Sequence, residues 1–143
     1  MEGVLVSLSY EPLGLFDLNS HKLKFLLLVW QAKAQEETDQ VHILIRQLQS
    51  RDAVVRISVA DALGRIGPEA KEAAPALIAA LKDQDAFIRN SAAEALGEIG
   101  PGTKEAAPAL IGALKDRDAG VRRSAAKALE KIDPDNPSIR KAL

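Results

Sequence analysis

Residues 95–101 read ALGEIGP, ALGRIGP stands at 62–68, and a worn copy, ALEKIDP, stands at 128–134. Each lies 33 residues from the next. The pattern reads as a helix end. Its Leu and Ile belong to one buried stripe, and the second glycine takes the left-handed position after the last helical residue without a Cβ penalty. The proline then prevents continuation. Three such ends at a fixed period make the heptapeptide the stop signal of a repeated unit.

Working outward, the window 69–101 aligns without gaps on 102–134 with 22 of 33 residues identical. The window 36–68 agrees with the middle one at 15 of 33 positions, so it is the same unit more diverged. Each window holds two helical patterns. In the first, Ala74, Leu77, Ile78 and Leu81 fall at i, i+3, i+4 and i+7, matched by Ala107, Leu110, Ile111 and Leu114 and by Val41, Leu44, Ile45 and Leu48. In the second, Ile88, Ala92, Ala95, Leu96 and Ile99 form another stripe, repeated in the columns Val55/Val121, Leu63/Leu129 and Ile66/Ile132. The spacing predicts helical hairpins at 36–49 with 53–66, 73–82 with 86–99, and 106–115 with 119–132. Pro75 and Pro108 sit where a straight first helix would pass, so that helix is expected to kink or restart there.

Between the paired helices stand Ser50-Arg51-Asp52, Asp83-Gln84-Asp85 and Asp116-Arg117-Asp118. Asp52, Asp85 and Asp118 are placed to cap the following helix by accepting from its orphan N–H groups. Arg56, Arg89 and Arg122 recur one turn later, where a ladder from Arg to neighbouring Asp would tie adjacent units together. In the last unit Asp133 replaces the terminal glycine, a poorer choice for a left-handed position.

The pattern AAPALI-x-ALKD-x-D-x-x-(I/V)R-x-SAA-x-AL-x-x-I resembles the HEAT repeat, most closely the short HEAT-like subtype of the phycobilisome-lyase (E-Z type) group, also used in many bacterial scaffold proteins. The resemblance covers about residues 36–134. It implies an all-α, right-handed α-solenoid of about three 33-residue hairpins (36–68, 69–101 and 102–134), whose second helices line a concave face. It does not by itself imply one function.

A stacked array needs its ends covered. The segment 21–35, apolar nearly all round, is read as an N-terminal capping helix, with Leu23, Leu27, Trp30 and Ala34 against the first hairpin. Two alternatives stay open: a self-association contact, or a signal peptide over 22–34, whose lysines, FLLLVW core and Ala32-Lys33-Ala34 imitate an export signal. A cytoplasmic location is expected on the first reading and export on the last. The segment falls short of the roughly 20 apolar residues that span a bilayer. Residues 1–20 form an N-terminal extension with no assigned element, read as flexible, and 135–143 a tail resembling the start of another first helix, with Asn136 as cap.

Composition narrows the chemistry. The 143 residues are 47% hydrophobic but 3% aromatic, which suits Ala- and Leu-rich helix packing. Lys plus Arg number 19 against 20 acids, so no whole-molecule charge attracts nucleic acid or anionic lipid. The absence of Cys excludes disulfides, thiolate nucleophiles and Cys-ligated metal. His42 occupies the slot of Pro75 and Pro108, which repeat drift explains, and no His-Glu pair of the kind some HEAT-like enzymes use for iron is present. The Asp-x-Asp turns recur with the period of the stack, so capping explains them better than calcium or acid–base chemistry. The sequence also contains no phosphate loop, dinucleotide fingerprint or serine elbow. No catalytic residue, metal or cofactor is assigned.

Residues that repeat identically serve the stack, so recognition is sought where the units differ. The outward columns of the second helices are Ile57/Asn90/Arg123, Asp61/Glu94/Lys127 and Arg65/Glu98/Lys131, grading from mixed through acidic to basic. Asn90, Glu94, Glu98, Arg123, Lys127 and Lys131 are the candidate partner-binding residues of a non-catalytic protein scaffold. The alternative that the resemblance implies is a subunit or chaperone-like factor of the phycobilin lyase type acting on phycobiliproteins. DNA binding through Arg117, Arg122, Arg123, Lys127, Lys131, Arg140 and Lys141 is disfavoured by the acids Asp61, Glu94 and Glu98 on the same face.

Overall fold

The computed structural model describes residues 21–143. The expectations for 1–20 lie outside the described residues. The described residues divide at 39/40 into two units. Every regular element among the described residues is helical.

Helix α1 runs unbroken over His21–Gln47. It passes through the boundary expected at 35/36, because QAKAQEETDQ at 31–40 contains neither Gly nor Pro and is rich in good helix formers. Gln35 Nε2 donates to Asp39 Oδ1 at 3.0 Å along the same helix. Thr38 Oγ1 donates back to the Ala34 carbonyl at 3.0 Å. The stretch carries large apolar side chains in the open, Leu27 at 53% and Trp30 at 70% exposure. Among the described residues no helix is long and apolar enough to cross a membrane.

In the unit 40–143 the second helices are α2 (Ala53–Ile66), α4 (Ala86–Ile99) and α6 (Ala119–Ile132). α4 packs against α2 on one side and α6 on the other. The intervening first helices are α3 (Ala74–Ala80) and α5 (Ala107–Ala113), packed on α4 and α6 respectively. Leu63, Leu96 and Leu129, one per unit, are fully buried, as are Leu77 and Leu110 of the first helices.

The signature heptapeptide does what its chemistry requires. Gly67 and Gly100 take φ of 76° and 81°, and their N–H groups bond the carbonyls of Leu63 and Leu96. Their ψ values of −142° and −143° are extended, so the chain leaves the helix instead of curling through a full left-handed turn. Short 3-10 turns follow over Gly67–Ala73 and Gly100–Ala106, kinked at Ala70 and Thr103. The α-helix then restarts with Pro75 or Pro108 in its first turn, where the missing N–H leaves no bond unmade. Thr103 sits buried in the second connector and donates to the carbonyls of Leu96 and Gly100, satisfying the end of α4. Asp133 behaves differently from the glycines it replaces: at φ −157° it avoids the positive region altogether. The chain passes to the short helix α7 (Pro137–Ala142), capped by Asn136, with Ile139 buried.

Candidate partner-binding face

The turns between paired helices place two side chains at separate tasks, Ser50 with Asp52 in the first turn and two acids in each of the others. Asp52, Asp85 and Asp118 accept from the N–H groups of Val54, Phe87 and Val121 at 2.9, 2.8 and 3.0 Å. The residue two before each, Ser50, Asp83 or Asp116, accepts from the N–H of that capping Asp at 3.2, 2.9 and 2.8 Å. Asp83 and Asp116 also receive the preceding unit. Arg56 Nε donates to Asp83 at 3.0 Å. Arg89 grips Asp116 with both Nε and Nη2, at 2.8 and 2.9 Å. Each arginine turns its Nη1 onto two carbonyls of its own turn: Arg56 onto Ser50 and Arg51, Arg89 onto Asp83 and Gln84, Arg122 onto Asp116 and Arg117. The Arg89–Asp116 rung is the buried one, with Arg89 5% exposed. The hydrogen bond to Asp116 holds the Arg89 guanidinium above its ordinary value against the opposing cost of burial. The same bond holds the Asp116 carboxyl below the usual carboxylate range.

The outward columns in which the second helices differ lie on α2, α4 and α6. Two grooves lie in series there. The first, of about 400 Å³, is lined by Asp61, Gly64, Arg65, Ser91, Glu94, Ala95 and Glu98. The second, of about 210 Å³, is lined by Glu94, Gly97, Glu98, Ser124, Lys127, Ala128 and Lys131. The structure thus brings Glu94, Glu98, Lys127 and Lys131 to one surface. Asn90 meets it through Ser124, whose hydroxyl lies 2.8 Å from Asn90 Oδ1 and 3.1 Å from Glu94 Oε1. Lys131 is bound to Glu98 at 2.6 Å, so part of the basic column is neutralised within the protein. Arg123 is exposed on α6 but lines neither groove.

Reading along the chain did not single out Ser91, Ser124, Gly64 or Gly97. The signal for the glycines was present in ALGxIGP, which holds two glycines where a helix end needs one. A Cβ on Gly64 would meet the Ala95 Cα at 3.1 Å, and one on Gly97 the Ala128 Cα at 2.9 Å. The first glycine of the signature therefore serves helix approach, and only the second serves the helix end. His42, read as drift, lies 3.2 Å from Glu72. No group of His, Cys, Asp and Glu able to hold a metal ion occurs among the described residues.

With this geometry in view, the chain is similar to the complex of CpcE and CpcF of phycocyanin lyase from Nostoc sp. PCC7120, at 34% identity over 71% of this chain, with a TM-score of 0.65. It is similar also to an engineered protein, at 30% identity over 77% of this chain, with a TM-score of 0.61. This chain spans 40% of the length of the first and 52% of the second. No match was found among curated proteins. The family of HEAT repeats matches residues 41–130, which is most of the repeat region and more than half of the chain, and this protein belongs to that family.

Proposed function

We propose that this protein is a non-catalytic scaffold that holds another protein against the surface formed by α2, α4 and α6, the concave face of the HEAT family's architecture. One observation carries the reading: the columns Asp61/Glu94/Lys127 and Arg65/Glu98/Lys131, which change charge from unit to unit, line two consecutive polar grooves on these helices. Arg123→Glu, Lys127→Glu and Lys131→Glu made together test it. Exposed substitutions usually change stability by within about 0.5 kcal/mol, so the circular dichroism spectrum should not change. The Lys131–Glu98 pair adds little to that cost, being more than half exposed at both ends. Pull-down of the partner should fail with the triple variant and weaken for the wild type as salt rises. Retention under both conditions would move the contact elsewhere, with the apolar segment around Phe25 and Trp30 next.

A second reading, a subunit or accessory factor of lyase type, is favoured by the likeness to the phycocyanin lyase complex. Incubation with bilin and an apo-phycobiliprotein separates the two. A lyase-type factor changes the bilin absorbance, and a plain scaffold leaves it as it was.

A further inference from the structure

The two grooves are related by the 33-residue period, yet they are not equally complete. In the second, Ser124 sits at the floor with Asn90 and Glu94 as partners from the preceding helix. One period earlier the same three positions are Ser91, Ile57 and Asp61. Isoleucine cannot accept a hydrogen bond, and aspartate is one methylene shorter than glutamate. Ser91 is 7% exposed, lines the larger groove, and has no side-chain hydrogen-bond partner among the described residues. No buried side-chain oxygen is left without a partner among the described residues, so the Ser91 hydroxyl opens onto the groove, where an entering N–H group can reach it.

The charges say what enters. Asp61 and Arg65 make no ion pair among the described residues, and Glu98 is taken by Lys131. Asp61 and Glu94 together outweigh Arg65 by one negative charge. We propose that the groove between α2 and α4 receives a lysine or arginine side chain of the protein partner. Its cationic N–H groups donate to Asp61 and Glu94, and the Ser91 oxygen accepts a further hydrogen bond. The proposal rests on the partner-binding reading of this face and adds the chemistry of the contact. Charge-assisted bonds in a groove walled by helices are stronger than the same contacts on open surface.

The test uses the full chain, labelled with nitrogen-15, and two short blocked peptides: one with a central arginine, the other with neutral citrulline in its place. The arginine peptide should move the backbone amides of residues 61–65 and 91–98, saturating in the millimolar range, and the citrulline peptide should not. Ile57→Asn with Asp61→Asn gives Ser91 an amide partner, as Asn90 serves Ser124, and removes one of the two carboxylates that receive the cation. That double variant should keep the helical spectrum and melting temperature while weakening the arginine peptide by about tenfold or more. Equal binding of the citrulline peptide, undiminished binding by the double variant, or shifts confined to other helices would overturn the proposal, as would no shift at all. Failure here is separable from failure of the scaffold reading. If the α6 charge reversal abolishes partner capture and the Ile57/Asp61 variant does not, the scaffold stands and the groove assignment falls. If both variants capture the partner fully, the face itself is wrong.

Discussion

At Arg89 one guanidinium serves two units, closing its own turn through Nη1 and gripping the Asp116 carboxylate of the next turn through Nε and Nη2. Removing one partner of such a buried pair leaves the other charge uncompensated, so Asp116→Ala should cost about 3–5 kcal/mol in a urea melt. Asp83→Ala should cost less, because the Arg56–Asp83 rung is more exposed, at 19% and 18% against 7% and 13%. The pH dependence follows from the direction of the Asp116 shift. Its folded value is depressed, so its contribution is complete above the unfolded carboxylate value of about 3.9 and is lost as pH falls through the lower folded value. The stability difference between wild type and Asp116→Asn should therefore shrink between about pH 4 and more acidic solution. A difference independent of pH would show that this rung does not carry the charge.

Among the elements, the spacing of the second helices is decided at the glycine column. Gly97 allows α4 and α6 to meet at backbone distance, and Gly64 does the same for α2 and α4 with slightly more room. Gly97→Ala should therefore destabilise by about 1–3 kcal/mol through overpacking, and Gly64→Ala by less, as read from thermal melts. Helix propensity alone predicts the reverse, a gain from either change. The order of the two variants thus separates packing from propensity. Glu130 occupies the same column of α6. These glycines stood in plain view in the repeated signature, but their purpose depended on a helix 33 residues away.

Across the unit 40–143, contacts run between neighbouring hairpins, as expected of a quasi-one-dimensional array. The middle helix α4 shares a face with both α2 and α6, and Leu96 is fully enclosed there. Leu96→Ala should lower stability by about 2–5 kcal/mol, seen as a fall in the urea midpoint by circular dichroism. An unchanged midpoint would mean that the stripe does not fill the interface between units.

Local chemistry made the period, the helix ends, the restarts at proline and the capping turns legible from the amino-acid sequence, because each depends on residues within one or two turns of one another. Even so, α1 shows the limit of local reading: a change of composition near residue 35 is not a helix break when every residue there favours helix. The tertiary structure decided which charges meet. Asp116 belongs to Arg89, Lys131 to Glu98, and Ser124 to Asn90 and Glu94, across 27 to 34 residues of chain. It also decided that Ser91, identical in type and repeat position to Ser124, lines the groove with Asp61 and Glu94 and makes no side-chain hydrogen bond there. Such pairings depend on how far apart two stacked helices lie and on which side chains drift has placed across the gap, and neither is fixed until the hairpins pack.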